Sequence, residues 1–371
     1  MSISLRIILM GLMSAALLFG FLHLFVPGAT LYNFERLHIF LFNLCSGGVI
    51  LIYFSESRKV LSTKGRLFLI LAVIYAILAF AKLYPAAIIV ALFLAIIVDS
   101  VRIRRFSLFP VNFFKPDAPV SEKFHQAALL CLSIGLVISA LVILNNEYFK
   151  IISFPKLKLD TFFLGFSFPI SLITMSVIFS FMKGDFSKII LSLKNVGFWI
   201  VNLGVIIFFV FILYEKFVPQ LIVTTILFLS VVLIYFLYTK LGVQVQQKSF
   251  LTSGMFFLWY TAITGILYII LEYSPAYTPE NSKLLIRMHS FAALYGWNLS
   301  GLAVICRRND FPIQLHSKTI IIIHWITVIL LAPLGTYYWP FAACTIICYV
   351  FILYMILFSR GITEQPVLKK V

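Results

Sequence analysis

The chain has 371 residues, of which 62% are hydrophobic and only 11% charged, with a formal net charge of +16. A water-soluble domain carries about 25% charge, so that class is excluded, and a β-barrel is argued against because its strands alternate polar and apolar over ~10 residues. The positive excess does not indicate a nucleic-acid partner, because the basic residues lie in short segments between apolar runs, where membrane topology accounts for them.

Apolar runs near the ~20 residues needed to cross a hydrocarbon core recur along the whole chain. Twelve spans are expected, at 5–25, 36–55, 66–81, 84–99, 123–145, 161–182, 195–214, 219–238, 250–271, 284–305, 317–334 and 338–358. The first run ends in FLHLFVPGA, without a small-residue cleavage box, and reads as a span rather than a removable signal. The run across 66–99 is too long for one span, and KLYP at 82–85 divides it. Residues 100–122 hold RIRR and three prolines and read as a cytoplasmic interfacial loop. YYWP at 337–340 has the composition of an interfacial aromatic belt. The fold expected is all-α: a polytopic membrane protein of about twelve transmembrane helices, forming one integral membrane domain over 1–371 and located in the cell membrane as a multi-pass protein.

Most of the 29 lysines and arginines fall in alternate connections: the N-terminus, 58–66, 102–123, 183–194, 240–248, 307–318 and the C-terminal tail. By the positive-inside rule these segments are cytoplasmic, which puts both termini inside. The five cysteines sit in or beside apolar runs without paired spacing and read as small buried residues.

Only six histidines are present. A local pattern recurs around three of them: ERLH at 35–38, EKFH at 122–125 and IRMH at 286–289. Its plain interpretation is helix-start chemistry, with a charged residue at the headgroups and a histidine satisfied by a carbonyl or water. His125 starts its span on the inner side, whereas His38 and His289 start theirs on the outer side. Small residues follow both: Cys45, Ser46, Gly47 and Gly48 after His38, and Ala292, Ala293, Gly296 and Ser300 after His289. Such faces let a second helix approach closely, or leave room for a planar ring. Two neutral imidazoles on different helices at similar depth are what axial ligation of haem iron needs. Arg36 and Arg287, two residues earlier, suit either headgroup anchoring or haem propionates. The intramembrane amides Asn43 and Asn298 read as interhelical hydrogen-bonding groups. His324, beside Trp325, reads as a buried hydrogen-bonded histidine in preference to a ligand or proton-handling group. There is no HExxH and no CxxC, and the spans contain almost no carboxylates.

At this point the residues resemble a known family, the catalytic subunit of the haem–copper oxidases. The family has twelve spans with both ends inside, and a low-spin haem held toward the outer side by one histidine on helix 2 and one on helix 10. RLH at 36–38 resembles the helix-2 approach of the cbb3-type members, and HSFAALYGWN at 289–298 resembles their helix-10 stretch, with a spacer about two residues longer. The resemblance implies haem b, with His38 and His289 as iron ligands. The further helix-10 histidine of the high-spin haem is replaced by Arg287, and spans 6 and 7, which carry the copper ligands in the family, hold no histidine. The chain thus resembles a degenerate member without the centre that reduces oxygen or nitric oxide. The implied role is electron transfer or redox sensing, with a quinol or an outer-side electron-transfer protein as partner. A different class stays open: a transporter, assembly factor or scaffold subunit for a metal or hydrophobic solute, without haem and with other membrane subunits as partners.

Overall fold

The computed structural model describes all residues except 27–31, 59, 155, 158–161, 183–186, 316 and 362–371. His316 therefore lies outside the described residues. Among the described residues, eleven helices are long and apolar enough to cross a membrane. In chain order, with the twelfth inserted, they are α1 (Ile3–Phe25), α2 (Phe34–Glu56), α3 (Thr63–Phe80), α4 (Tyr84–Arg105), α5 (Val120–Phe149), α6 (Phe163–Ser180), α7 (Lys188–Leu213), α8 (Phe217–Leu241), α9 (Lys248–Glu272), α10 (279–306), α11 (Lys318–Gly335) and α12 (Trp339–Phe358). Every expected span has its helix, and the protein is an all-α, multi-pass membrane protein.

The boundaries that differ from expectation do so for local reasons. The division at 82–85 holds: Ala81 ends α3, Lys82 takes a left-handed backbone (φ 60°), and Pro85 stands in the first turn of α4, where its missing N–H costs nothing. The loop expected from residue 100 begins later, because α4 continues to Arg105. Its last turns are held by Arg102, which is buried and donates to Asp99 Oδ1 (2.8 Å), Ser107 O (3.1 Å) and Leu108 O (2.9 Å). The rest of the loop contains one short 3₁₀ turn, Val111–Phe113. Helix α10 begins five residues before its apolar run. Thr278 caps it by accepting from Asn281 N (3.0 Å), and Pro279 opens it. Its first turns are polar, so hydropathy alone understates its length.

The chain forms two compact units, Met1–Lys115 with His125–Ile173, and Pro116–Phe124 with Thr174–Val371. In the first, glycines bring helices together. Gly48 leaves space for the Phe68 ring, Gly47 for Ile170, and Gly135 and Gly165 place the backbones of α5 and α6 in direct contact. Close backbone approach of this kind substitutes for the hydrophobic effect, which is absent between helices in lipid. In the second unit, Gly254 packs on Ser300, Gly296 on Phe257, and Gly301 on Thr174. Arg307, at the end of α10, is buried and ties down the end of α12, donating to Ile356 O (3.1 Å) and Ser359 O (2.6 Å) while pairing with Asp310 (3.1 Å). The expected aromatic belt is exposed at Tyr337, Tyr338 and Trp339.

Candidate functional site

Helices α2 and α10 share an irregularity. Each begins as an α-helix, carries its histidine, and then widens into a π-helical stretch: Phe40–Gly48 after His38, and Ala292–Asn298 after His289. A π turn adds a residue per turn, so it shifts every later side chain around the axis; such turns occur frequently at functional sites. The face read through Ala292, Ala293, Gly296 and Ser300 at α spacing is therefore not one continuous stripe. Phe257 fills the space over Gly296, and Gly254 closes on Ser300, so that part of the small-residue stretch serves helix packing.

The histidines themselves have matching environments. His38 is buried and donates from Nδ1 to the backbone carbonyl of Ala16 on α1 (2.9 Å). His289 donates from Nδ1 to the carbonyl of Thr261 on α9 (2.9 Å). In both cases the glycine four residues beyond the acceptor lies against the ring. A Cβ at Gly20 would be 2.9 Å from His38 Nδ1, and one at Gly265 would be 3.1 Å from His289 Cε1. A carbonyl can only accept, so Nδ1 carries the proton in both rings and the imidazole lone pair lies on Nε2. A backbone carbonyl that fixes the tautomer this way is the usual outer support of a metal-ligating histidine. The acceptor and glycine positions, Ala16–Gly20 and Thr261–Gly265, were not singled out in the sequence. The available signal was a small residue followed four positions later by glycine inside an apolar span, which marks close helix approach.

The neighbouring arginines are placed differently from each other. The Arg36 backbone caps onto Asn33 Oδ1 (2.8 Å), and its guanidinium lies over the Phe162 ring at 5.8 Å. Arg36 also lines an outer cavity of about 40 Å³ with Phe40, Tyr75, Ser139 and Glu147. Arg287 is half-buried on α10, two residues before His289.

The remaining described histidines take structural roles. His125 is buried on α5, and its Nε2 donates to Ser55 Oγ (2.7 Å), because that hydroxyl spends its own proton on Leu51 O (2.7 Å). Helix-start hydrogen bonding was the expectation there. His324 is fully buried, donates from Nε2 to Tyr295 O (2.6 Å), and lies against Phe250 and Phe257. This too is the buried hydrogen-bonded histidine expected. His23 Nε2 lies 3.8 Å from Glu35, between the end of α1 and the start of α2. Asn43 is buried, and its Oδ1 has no hydrogen-bond partner among the described residues.

Among the described residues, no three His, Cys, Asp or Glu side chains gather as a metal-ion group. No protein-family model matches the chain, and comparison with curated proteins and with solved structures finds no match either.

Proposed function

We propose that this membrane protein binds haem b through His38 and His289 and uses it for electron transfer or redox sensing without reducing oxygen. One observation carries the reading: each histidine has its Nδ1 proton committed to a backbone carbonyl at 2.9 Å and its ring seated against a glycine that any side chain would displace. A histidine needed only to fill a helix surface has no use for that repeated seat. The donor chemistry fits the group, since neutral imidazole Nε2 is a standard axial ligand of haem iron. Bound there, haem would supply a one-electron couple. The chain's own residues fix the imidazole tautomer through Ala16 and Thr261, while Arg36 and Arg287 offer cations to the propionates. The resemblance of the two histidine segments to helices 2 and 10 of the oxidase catalytic subunit belongs to the same reading, as does a quinol or outer-side protein as electron partner.

The test is the reduced-minus-oxidised absorption spectrum of the protein purified in mild detergent from haem-replete cells. Sharp b-type α and Soret bands at about one haem per chain are expected for two axial histidines on one iron. His38→Ala and His289→Ala should each remove the bands while the protein stays inserted. A featureless spectrum from folded, haem-supplied protein refutes the proposal and leaves a transporter or scaffold role.

A further inference from the structure

A second site stands apart from the histidines, at the opposite ends of the first helices. The end of α2, the start of α3 and the end of α4 enclose a cavity of about 250 Å³, lined among others by Glu56, Ser57, Arg58, Lys64, Arg104 and Arg105. Four cations thus face one carboxylate. The four cations belong to the segments 58–66 and 102–123, which the basic-residue count assigns to the cytoplasmic side.

Topology requires basic residues in such segments, but it does not require them to enclose a cavity or to be held in place. Here two of them are held. Arg105 Nη1 donates to Ser55 O (2.6 Å) and Ser57 Oγ (3.2 Å), and Lys64 Nζ donates to Ser100 Oγ (3.0 Å). Ser55 is itself anchored to α5 by His125, so the floor of the cavity is braced from a further helix. Arg58 and Arg104 are the complement: both are exposed and neither has a hydrogen-bond or ion-pair partner among the described residues. Glu56 adds a second sign of a missing group. Its Oε2 is buried without a hydrogen-bond partner among the described residues, at the C-terminal end of a helix, where the dipole disfavours a negative charge. A buried carboxylate oxygen asks for a donor, and Arg58 and Arg104 have no anion partner among the described residues.

We propose that this cavity binds a phosphate group carrying a hydroxylated substituent. Arg58, Lys64, Arg104 and Arg105 take the phosphate, and Glu56 Oε2 accepts from the hydroxyl. Arginine forks match phosphate oxygens in pairs, and basic pockets between helices on the cytoplasmic side are suited to anionic headgroups. The phosphate has two sources at that surface: the headgroup of an anionic lipid such as phosphatidylglycerol, or a soluble phosphate monoester.

Native mass spectrometry of the full chain, delipidated in detergent, separates them. The probes are short-chain phosphatidylglycerol and glycerol 3-phosphate. The proteins are the wild type, Arg58→Gln/Arg104→Gln, and a charge-matched control, Lys240→Gln/Lys318→Gln. The two arginines make no contacts that folding needs, and a thermal-unfolding scan checks that the double variant is intact. Binding at least about tenfold weaker in the arginine variant, as the loss of one charge-assisted hydrogen bond implies, with the control unchanged, supports the site. If that dependence appears with the lipid and not with glycerol 3-phosphate, the source is the bilayer; the reverse assigns a soluble ligand, and both together assign a shared phosphate site. Binding of neither probe, or equal binding by the arginine variant and wild type, overturns the proposal. None of these outcomes depends on haem.

Discussion

The substitution Gly20→Ala isolates the seat of His38, because the same helix supplies its own control. A Cβ at position 20 lies 2.9 Å from His38 Nδ1, 3.3 Å from Cε1 and 3.4 Å from Cγ. Non-bonded heavy atoms settle at about 3.5–4.0 Å, so the ring must retreat by roughly 0.6 Å at Nδ1. That motion acts on a hydrogen bond to Ala16 O of 2.9 Å and stretches or bends it toward the limit at which it ceases to count. The lost bond costs about 0.5–1.5 kcal/mol, and forcing an extra methyl into a packed contact costs about 1–3 kcal/mol. Against this, alanine gains about 1 kcal/mol over glycine in a helix interior. At Gly11, on the same helix, an added Cβ meets nothing within 4 Å, so Gly11→Ala keeps the propensity gain alone. The propensity gain is common to both, so the two variants should differ by about 3 kcal/mol in stability, with G11A the more stable. The assay is SDS-induced unfolding followed by tryptophan fluorescence, with haem content read on the same samples. Disturbing a ligand's outer hydrogen bond typically lowers metal affinity ~10–100-fold, so if His38 ligates haem as proposed, G20A should lose it under mild dialysis while G11A retains it. If the two unfold at the same midpoint and hold haem equally, the ring is not seated against Gly20 and the argument from the glycine fails.

Three further outcomes follow from other contacts. Ser55→Ala leaves His125 Nε2 as a buried donor without its acceptor, and the unfolding midpoint should fall by an amount corresponding to about 1–3 kcal/mol, far beyond the effect of an alanine at an exposed serine. Arg307→Gln removes the bonds to Ile356 O and Ser359 O and the ion pair with Asp310. It should cost about 3 kcal/mol and expose the end of α12 to limited proteolysis; wild-type cleavage rates would show that Arg307 is not a tether. For topology, a membrane-impermeant maleimide applied to whole cells should label Lys150→Cys and spare Lys115→Cys, since both positions are exposed and α5 carries the chain across between them. The opposite pattern inverts the orientation taken from the basic loops.

The twelve spans were legible in the sequence because a hydrocarbon core imposes one requirement, a run of apolar residues of sufficient length, and each run meets it without help from any other. The start of α10 was misplaced because its cap, Thr278–Pro279, precedes polar turns that hydropathy does not register. His38 and His289 could be picked out as residues, since histidine is rare here and both follow an arginine, but their tautomer could not. That is set by carbonyls 22 and 28 positions away in the chain, and no local pattern reports which carbonyl a ring will meet. The same holds for the small residues after His289: their spacing suggested one open face, whereas π turns rotate the later positions and Phe257 occupies the space at Gly296. The basic cavity is the clearest case. Its charges appear in the sequence as two separate loop clusters, each explained by topology, and only the packing of α2, α3 and α4 brings them around one space. Composition and hydropathy act residue by residue, so the sequence alone determined that the chain crosses the membrane and where; hydrogen-bond direction, ring seating and converging charge depend on neighbours distant in the chain, and those were decided by the tertiary structure.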